Sequence, residues 1–77
     1  MGYIGGFKVF EADAEEIQDL IDWNTQSFGR GAFLGDTTYE VFQDGSEVLI
    51  EVYGSDAQAF DMIYYWVEDE GHYVSEK

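Results

Sequence analysis

The single histidine and the many carboxylates are the side chains of this 77-residue sequence that could carry acid–base chemistry. A nucleophilic triad would need a serine or threonine held against His72, and no pattern in the sequence places one there. The 17 aspartates and glutamates create carboxylate pairs by chance, so no pair singles out a glycosidase or acid-protease site. We therefore expect a protein that is not an enzyme, with His72 solvated at a helix end.

Metal and phosphate chemistry has equally little support. The sequence has no cysteine, which excludes disulfides and a thiolate zinc site, and it lacks the D-x-D-x-D-G spacing of a calcium loop. GYIGGF precedes a strand pattern, and GRGAFLGD lacks the Gly-Lys-Ser/Thr ending of a phosphate loop, so both are interpreted as structural turns. We expect no cofactor and no specific metal site.

The charge balance is the strongest global signal. Lys8, Arg30 and Lys77 oppose the acidic residues, and the formal net charge is −14. Such a surface repels nucleic acid and anionic membranes and attracts basic protein surfaces. We therefore predict a basic protein as partner, with no direct binding to nucleic acid or membrane.

Length and composition indicate a single folded domain over residues 1–77. Hydrophobic residues make up 45% of the chain and aromatic residues 18%, which argues against disorder. The start of the chain lacks the pattern of a signal peptide, and no stretch approaches the roughly 18 apolar residues of a membrane helix. The lack of cysteine fits a reducing cytosol.

Alternation, helical spacing and turn residues predict the elements that would position the acids. A strand covers Tyr3 to Glu11, and a helix capped by Asp13 runs to about Phe28, where Gly29 ends it. A glycine-rich connection, Arg30 to Asp36, leads to a hairpin. A second helix, with a capping box from Ser55 to Gln58, runs to about Glu70 and ends at Gly71. Residues 72–75 could form a short last strand.

The Asp44-Gly45 pair between two alternating runs is a strong hairpin signal. If Gln43 pairs with Ser46, one face of the hairpin is apolar and faces the core. The core-facing residues are then Thr37, Tyr39, Val41, Val48, Ile50 and Val52. The opposite face collects Glu40, Phe42, Glu47, Leu49, Glu51 and Tyr53.

Each helix also has an apolar stripe at helical spacing. The stripes consist of Ile17, Leu20, Ile21, Asn24 and Phe28 in the first helix, and of Phe60, Ile63 and Val67, flanked by Ala59, Tyr64 and Trp66, in the second. The predicted fold class is α+β, a small antiparallel sheet with two helices packed on one face, in the order β-α-β-β-α(-β). With the last strand it is ferredoxin-like, and without it a truncated version. One sheet face stays open in both.

Acidic residues recur on the outer sides of these elements, with almost no cations among them. Acids four apart on a helix lie about 6 Å apart along its axis, which could imitate a row of phosphates. The acids that end the second helix also oppose its dipole, which costs about 0.3–1 kcal/mol each and favours a functional use of the charge. Tyr65 shares that helix's outer stripe, and an exposed ring among acids suits a partner rich in arginine. The predicted partner-binding residues are Glu15, Asp19, Asp22, Glu40, Glu47, Glu51, Asp61, Tyr65, Glu68, Asp69 and Glu70.

In size, charge and layout the chain resembles small phage-encoded nucleic-acid mimics. These include anti-CRISPR proteins and inhibitors of restriction enzymes or of uracil-DNA glycosylase. The resemblance implies a non-catalytic inhibitor in the cytoplasm of an infected or host bacterial cell. Such an inhibitor would occupy a basic nucleic-acid-binding surface of a host defence complex and block DNA binding.

Two other functions fit the same composition. An immunity protein or antitoxin could cover a basic nuclease toxin, and Tyr64-Tyr65 resembles the adjacent tyrosines that small acidic immunity proteins use. An acidic domain of a halophile would carry its charge for hydration instead. The open sheet face and an exposed edge strand leave both a monomer and a homodimer possible.

Overall fold

The structure, a computed structural model, describes residues 2–28 and 36–75. Within these residues the elements are β1 (Gly2–Phe10), α1 (Ala14–Phe28), β2 (Thr38–Asp44), β3 (Glu47–Gly54), α2 (Ala57–Asp69) and β4 (Tyr73–Val74). The predicted helix stop at Gly29, the connection from Arg30 and the GRGAFLGD stretch up to Gly35 lie outside the described residues.

The strands form one antiparallel sheet in the order β2-β3-β1-β4. The element order β-α-β-β-α-β is that of the ferredoxin-like sandwich, so the predicted α+β fold is confirmed. The short last strand is confirmed as well, because β4 pairs with β1 through Val9–Val74 and Phe10–Tyr73.

The core lies between the sheet and the two helices. Strand alternation sends every second side chain of β1 and β3 to one face, and helical spacing turns one stripe of each helix toward it. The central residues of both predicted helix stripes are fully buried, which confirms the predicted core-facing sides of the helices. The fully buried large side chains are Val9, Ile17, Ile21, Val48, Ile50, Val52, Ile63 and Val67.

The three consecutive aromatic residues of α2 take three different environments. Trp66, predicted to flank the apolar stripe of this helix, is only 7% exposed and belongs to the core. Tyr64 is half-buried as expected, with its ring centroid 4.9 Å from that of Phe7 and its hydroxyl donating to the Ser75 carbonyl at 3.1 Å. Tyr65 is therefore the one of the three that is exposed.

The hairpin between β2 and β3 keeps its predicted faces but not its predicted register. The turn comprises Gly45 and Ser46, so Asp44 pairs with Glu47, and the predicted pairing of Gln43 with Ser46 is wrong by two residues. Gly45 has a φ of 63°, whereas Ser46 is not in the positive-φ region, which is the pattern of a type II′ turn. Because side chains alternate with period two, an even shift leaves each one on the same face.

The glycines of GYIGGF lie inside β1, so their interpretation as a turn is wrong. The pairing of β1 with β3 shifts register between Tyr3 and Gly5, as at a β-bulge. A Cβ on Gly5 would lie 3.2 Å from the Phe60 ring, and one on Gly6 would lie 2.9 Å from both the Ile50 carbonyl oxygen and the Tyr3 hydroxyl. Close packing on both sides of the strand explains why glycine occupies these two positions.

Acidic side chains cap both helices. The Asp13 carboxylate accepts from the Glu15 amide at 2.8 Å, which confirms the predicted cap of α1. The cap of α2 is Asp56, which accepts from the Gln58 amide at 2.9 Å, so the prediction of Ser55 is off by one residue. The negative charge of each cap also suits the helix dipole.

The Gln43 side chain connects the hairpin to the start of α1. Its Nε2 lies 3.1 Å from the carbonyl oxygens of Ala12 and Glu47, and its Oε1 accepts from the Ala14 amide at 2.7 Å. The first amides of a helix lack partners within the helix, so this contact satisfies one of them.

Candidate functional site

The sheet face that points away from the helices is a continuous acidic and aromatic surface. We call it the acidic sheet face, and each of its side chains is exposed or half-buried. It is defined by the outward charged and large apolar side chains of β1, β2 and β3, namely Tyr3, Lys8, Phe10, Glu40, Phe42, Asp44, Glu47, Leu49, Glu51 and Tyr53. The side of the hairpin that was predicted to face outward is therefore confirmed to be solvent-accessible, and outward side chains of β1 extend this surface.

Two tyrosines on this face lie beside its carboxylates. The rings of Tyr3 and Tyr53 meet edge to face, with centroids 5.6 Å apart. A hydrogen bond to Glu51 raises the pKa of Tyr3, and desolvation followed by the charges of Glu40 and Glu51 raises the pKa of Tyr53. Both phenols therefore remain neutral at physiological pH, and their rings lie beside carboxylates.

Like charges stand directly opposite each other across the β2–β3 pair. Glu40 pairs with Glu51, and Asp44 pairs with Glu47. Directly opposed like charges destabilise a sheet. Lys8, the only lysine or arginine within the described residues, lies 3.6 Å from the Glu47 carboxylate. One lysine cannot balance these acids, so the described part of the chain leaves most of their charge uncompensated.

The outer side of α2 is a second acidic surface. Asp61, Tyr65, Glu68 and Asp69 are all exposed, and so is Glu70 at the helix end. The Tyr65 side chain is 61% exposed, which confirms that it faces solvent. This surface offers one ring, whereas the acidic sheet face offers several. Tyr64 is not exposed beside Tyr65, so the structure does not present the adjacent tyrosine pair that supported the immunity-protein alternative.

The acids of α1 are exposed as predicted, but Asp22 has a structural contact of its own. The Tyr39 hydroxyl donates a hydrogen bond to Asp22 Oδ1 and thereby joins β2 to α1. Burial raises the pKa of Tyr39 strongly, and the hydrogen bond to Asp22 and the charge of Asp19 raise it further. Glu15 and Asp19 complete the predicted row on this helix.

His72 is half-buried, so it is less exposed to solvent than predicted. Its side chain is 18% exposed, and its Nε2 lies 3.5 Å from Glu16 Oε1. The two residues line a groove of about 520 Å³ between α1 and the turn that follows α2. Trp23 also lines this groove, and its side chain is 70% exposed.

The sequence prediction missed Tyr3, Trp23 and Tyr73 as exposed rings. Trp23 lies outside the apolar stripe of α1, and that position was a usable signal of exposure. Tyr3 carried no comparable signal, because the register shift of β1 decides which face it joins.

The described residues contain no group of three histidine, aspartate or glutamate side chains that could hold a metal ion. Neither α1 nor α2, the helices of the described chain, is long and apolar enough to cross a membrane. No family model, curated protein or solved structure matches this chain.

Proposed function

We propose that this protein is a non-catalytic inhibitor that binds a basic nucleic-acid-binding surface of a host defence complex and blocks DNA binding. It would act as an anti-CRISPR protein or another DNA mimic in the cytoplasm of an infected or host bacterial cell. The observation that carries the proposal is the acidic sheet face, where Glu40 and Glu51 oppose each other beside exposed rings.

The spacing of the charges supports this function. Outward residues two apart on a strand lie about 7 Å apart, and neighbouring strands lie about 5 Å apart. Glu40 and Glu51 therefore face each other about 5 Å apart, an interval similar to that of the helical rows, and Glu47 adds a further negative charge about 14 Å from Glu51 along β3. A basic groove that binds a phosphate backbone would meet comparable repeated charge here.

The rings give such a partner a second means of contact. Arginine can pair with a carboxylate and stack on an aromatic face at the same time. Tyr3, Phe42 and Tyr53 lie among the carboxylates of the acidic sheet face, so one arginine could make both contacts. Tyrosine is also enriched at the energetic centres of protein interfaces.

The first experiment is a pull-down from a host lysate with mass spectrometry, followed by competition with DNA. We expect recovery of a nucleic-acid-handling protein, and salt-sensitive binding that excess DNA displaces. Recovery of a nuclease toxin whose active site is covered would favour the immunity protein instead. If the captured proteins include none that handles nucleic acid, the proposal fails.

Charge-neutral variants locate the contact surface. Glu40→Gln with Glu51→Gln removes two opposed charges, so the fold should be retained while affinity for the captured partner falls roughly tenfold or more. Glu15→Gln with Asp19→Asn removes the same charge from α1 and serves as the matched control. Tyr65→Ala with Glu68→Lys tests the outer side of α2 in the same assay. Equal losses for both neutral pairs would indicate general acidity without a defined surface.

A further inference from the structure

The groove beside Trp23 is separate from the acidic sheet face, because it lies in the helix layer on the other side of the sheet. Three of its lining residues, Glu16, Asp19 and Trp23, follow one another along α1 at spacings of three to four residues and share one side of the helix. Glu70 and His72 line it from the turn after α2. Its volume of about 520 Å³ is within the usual size range of small-ligand sites.

Charge and aromatic surface meet in this groove. Glu16, Asp19 and Glu70 contribute carboxylates, and Trp23 contributes an exposed indole ring. His72 Nε2 lies 3.5 Å from the Glu16 carboxylate at the edge of the groove. Lys8 belongs to the acidic sheet face, so no lysine or arginine of residues 2–28 and 36–75 fills the groove.

We propose that this groove binds one arginine side chain of a protein partner. The guanidinium would stack on the Trp23 ring and pair with the carboxylates of Glu16, Asp19 or Glu70. Tryptophan is the best aromatic platform for a cation, and the planar guanidinium can stack and pair at once, which a lysine ammonium cannot. The site depends neither on the acidic sheet face nor on a DNA-handling partner.

The test follows the intact protein by ¹H–¹⁵N NMR during titration with acetyl-Gly-Arg-Gly-amide, and separately with its lysine counterpart. Ionic strength is kept at about 0.15 M to screen diffuse attraction. We expect the arginine peptide to shift the Trp23 indole N–H and the amides of Glu16, Glu70 and His72 saturably. Its affinity should exceed that of the lysine peptide by about two- to fivefold. The indole N–H of Trp66, which is 7% exposed, is the internal control.

Two matched pairs of variants test whether the peptide binds in the groove and not elsewhere on the acidic surface. Trp23→Leu should abolish the preference for arginine, whereas Tyr65→Leu, which removes an exposed ring from the other helix, should not. Glu70→Gln should weaken binding of the peptide, whereas Glu68→Gln should leave it unchanged, because Glu68 is exposed but does not line the groove.

Three outcomes would overturn the arginine site. They are an absence of shifts at the groove, equal binding of the two peptides, and wild-type binding by Trp23→Leu. Glu40→Gln with Glu51→Gln should leave peptide binding intact, so failure of the proposed DNA-mimic function and failure of this site are separately visible.

Discussion

At the scale of single residues, the pair formed by Tyr39 and Asp22 shows that an exposed acid can also stabilise the fold. Asp22 is exposed, yet its carboxylate accepts a hydrogen bond from the Tyr39 hydroxyl across the α1–β2 contact. Tyr39 is half-buried against the core, so its hydroxyl needs a partner at the boundary with solvent. An acidic residue on a helix surface is therefore not automatically available to a partner protein.

We predict that Tyr39→Phe lowers the free energy of unfolding by about 1 kcal/mol near neutral pH, because it removes this hydrogen bond. The pKa of Tyr39 is raised in the folded protein. Its stabilising contribution is therefore complete below about pH 10, the pKa of an unfolded tyrosine, and is lost as the pH rises above that value. Urea unfolding across the alkaline range should show a shallower decline of stability for the variant.

Tyr65→Phe is the matched control for that measurement, because Tyr65 is exposed and on the outer side of α2. It should change stability by less than about 0.5 kcal/mol. If Tyr39→Phe has the stability of the wild type and the same alkaline decline, the hydrogen bond to Asp22 contributes nothing.

At the scale of elements, the β2–β3 hairpin carries the opposed acids of the site, and its turn decides which of them meet. With Gly45 and Ser46 as the turn, Glu40 faces Glu51. The predicted register would have moved each pairing by two residues, so that Glu40 would have faced Leu49 instead. The turn thus creates the like-charge pair that distinguishes this surface.

We predict that Gly45→Ala destabilises the protein by about 1–2 kcal/mol, since an L-residue is strained at positive φ. The φ of Gly45 is 63°, and an added Cβ would meet nothing within 4 Å, so the cost is purely conformational. Gly2→Ala is the matched control, because Gly2 also has open space around it but no positive φ. Equal unfolding free energies for the two variants in urea would argue against the strained turn.

At the scale of the whole molecule, the net charge of −14 governs both solubility and association. Carboxylates lie on the outer face of the sheet and on the exposed sides of both helices, so like charges repel one another over most of the described surface. Such repulsion is strongest at low ionic strength, where the screening length is about 30 Å, comparable to the size of the molecule.

We predict that the protein is folded at about 10 mM NaCl and gains on the order of 1 kcal/mol of stability at about 100 mM, because salt screens this repulsion. Urea unfolding at the two salt concentrations measures the gain. Glu40→Gln with Glu51→Gln should gain less, since two of the repelling charges are gone. A fold that appears only in molar salt would instead support the halophile alternative.

The sequence by itself determined the element order, the buried faces and the exposed sides of the helices. These follow from local periodicity, because a period of two or 3.6 residues assigns each side chain to a face regardless of what lies opposite. The predicted contact residues therefore all lie at the surface, with Glu47 and Glu51 half-buried and the others exposed. Whether they bind a partner remains a prediction.

Only the tertiary structure decided which side chains meet across elements. Alternation cannot distinguish registers that differ by two residues, so it left open the pairing of Glu40 with Glu51. Where α1 packs near the end of α2, His72 contacts Glu16, and a groove forms beside Trp23. The two helices are distant in the chain, so no local pattern could predict this contact or this groove. Local sequence patterns assign each side chain to a buried or an exposed face. Which side chains then contact each other depends on how those faces pack together. Both candidate sites of this protein are built from such contacts between distant residues.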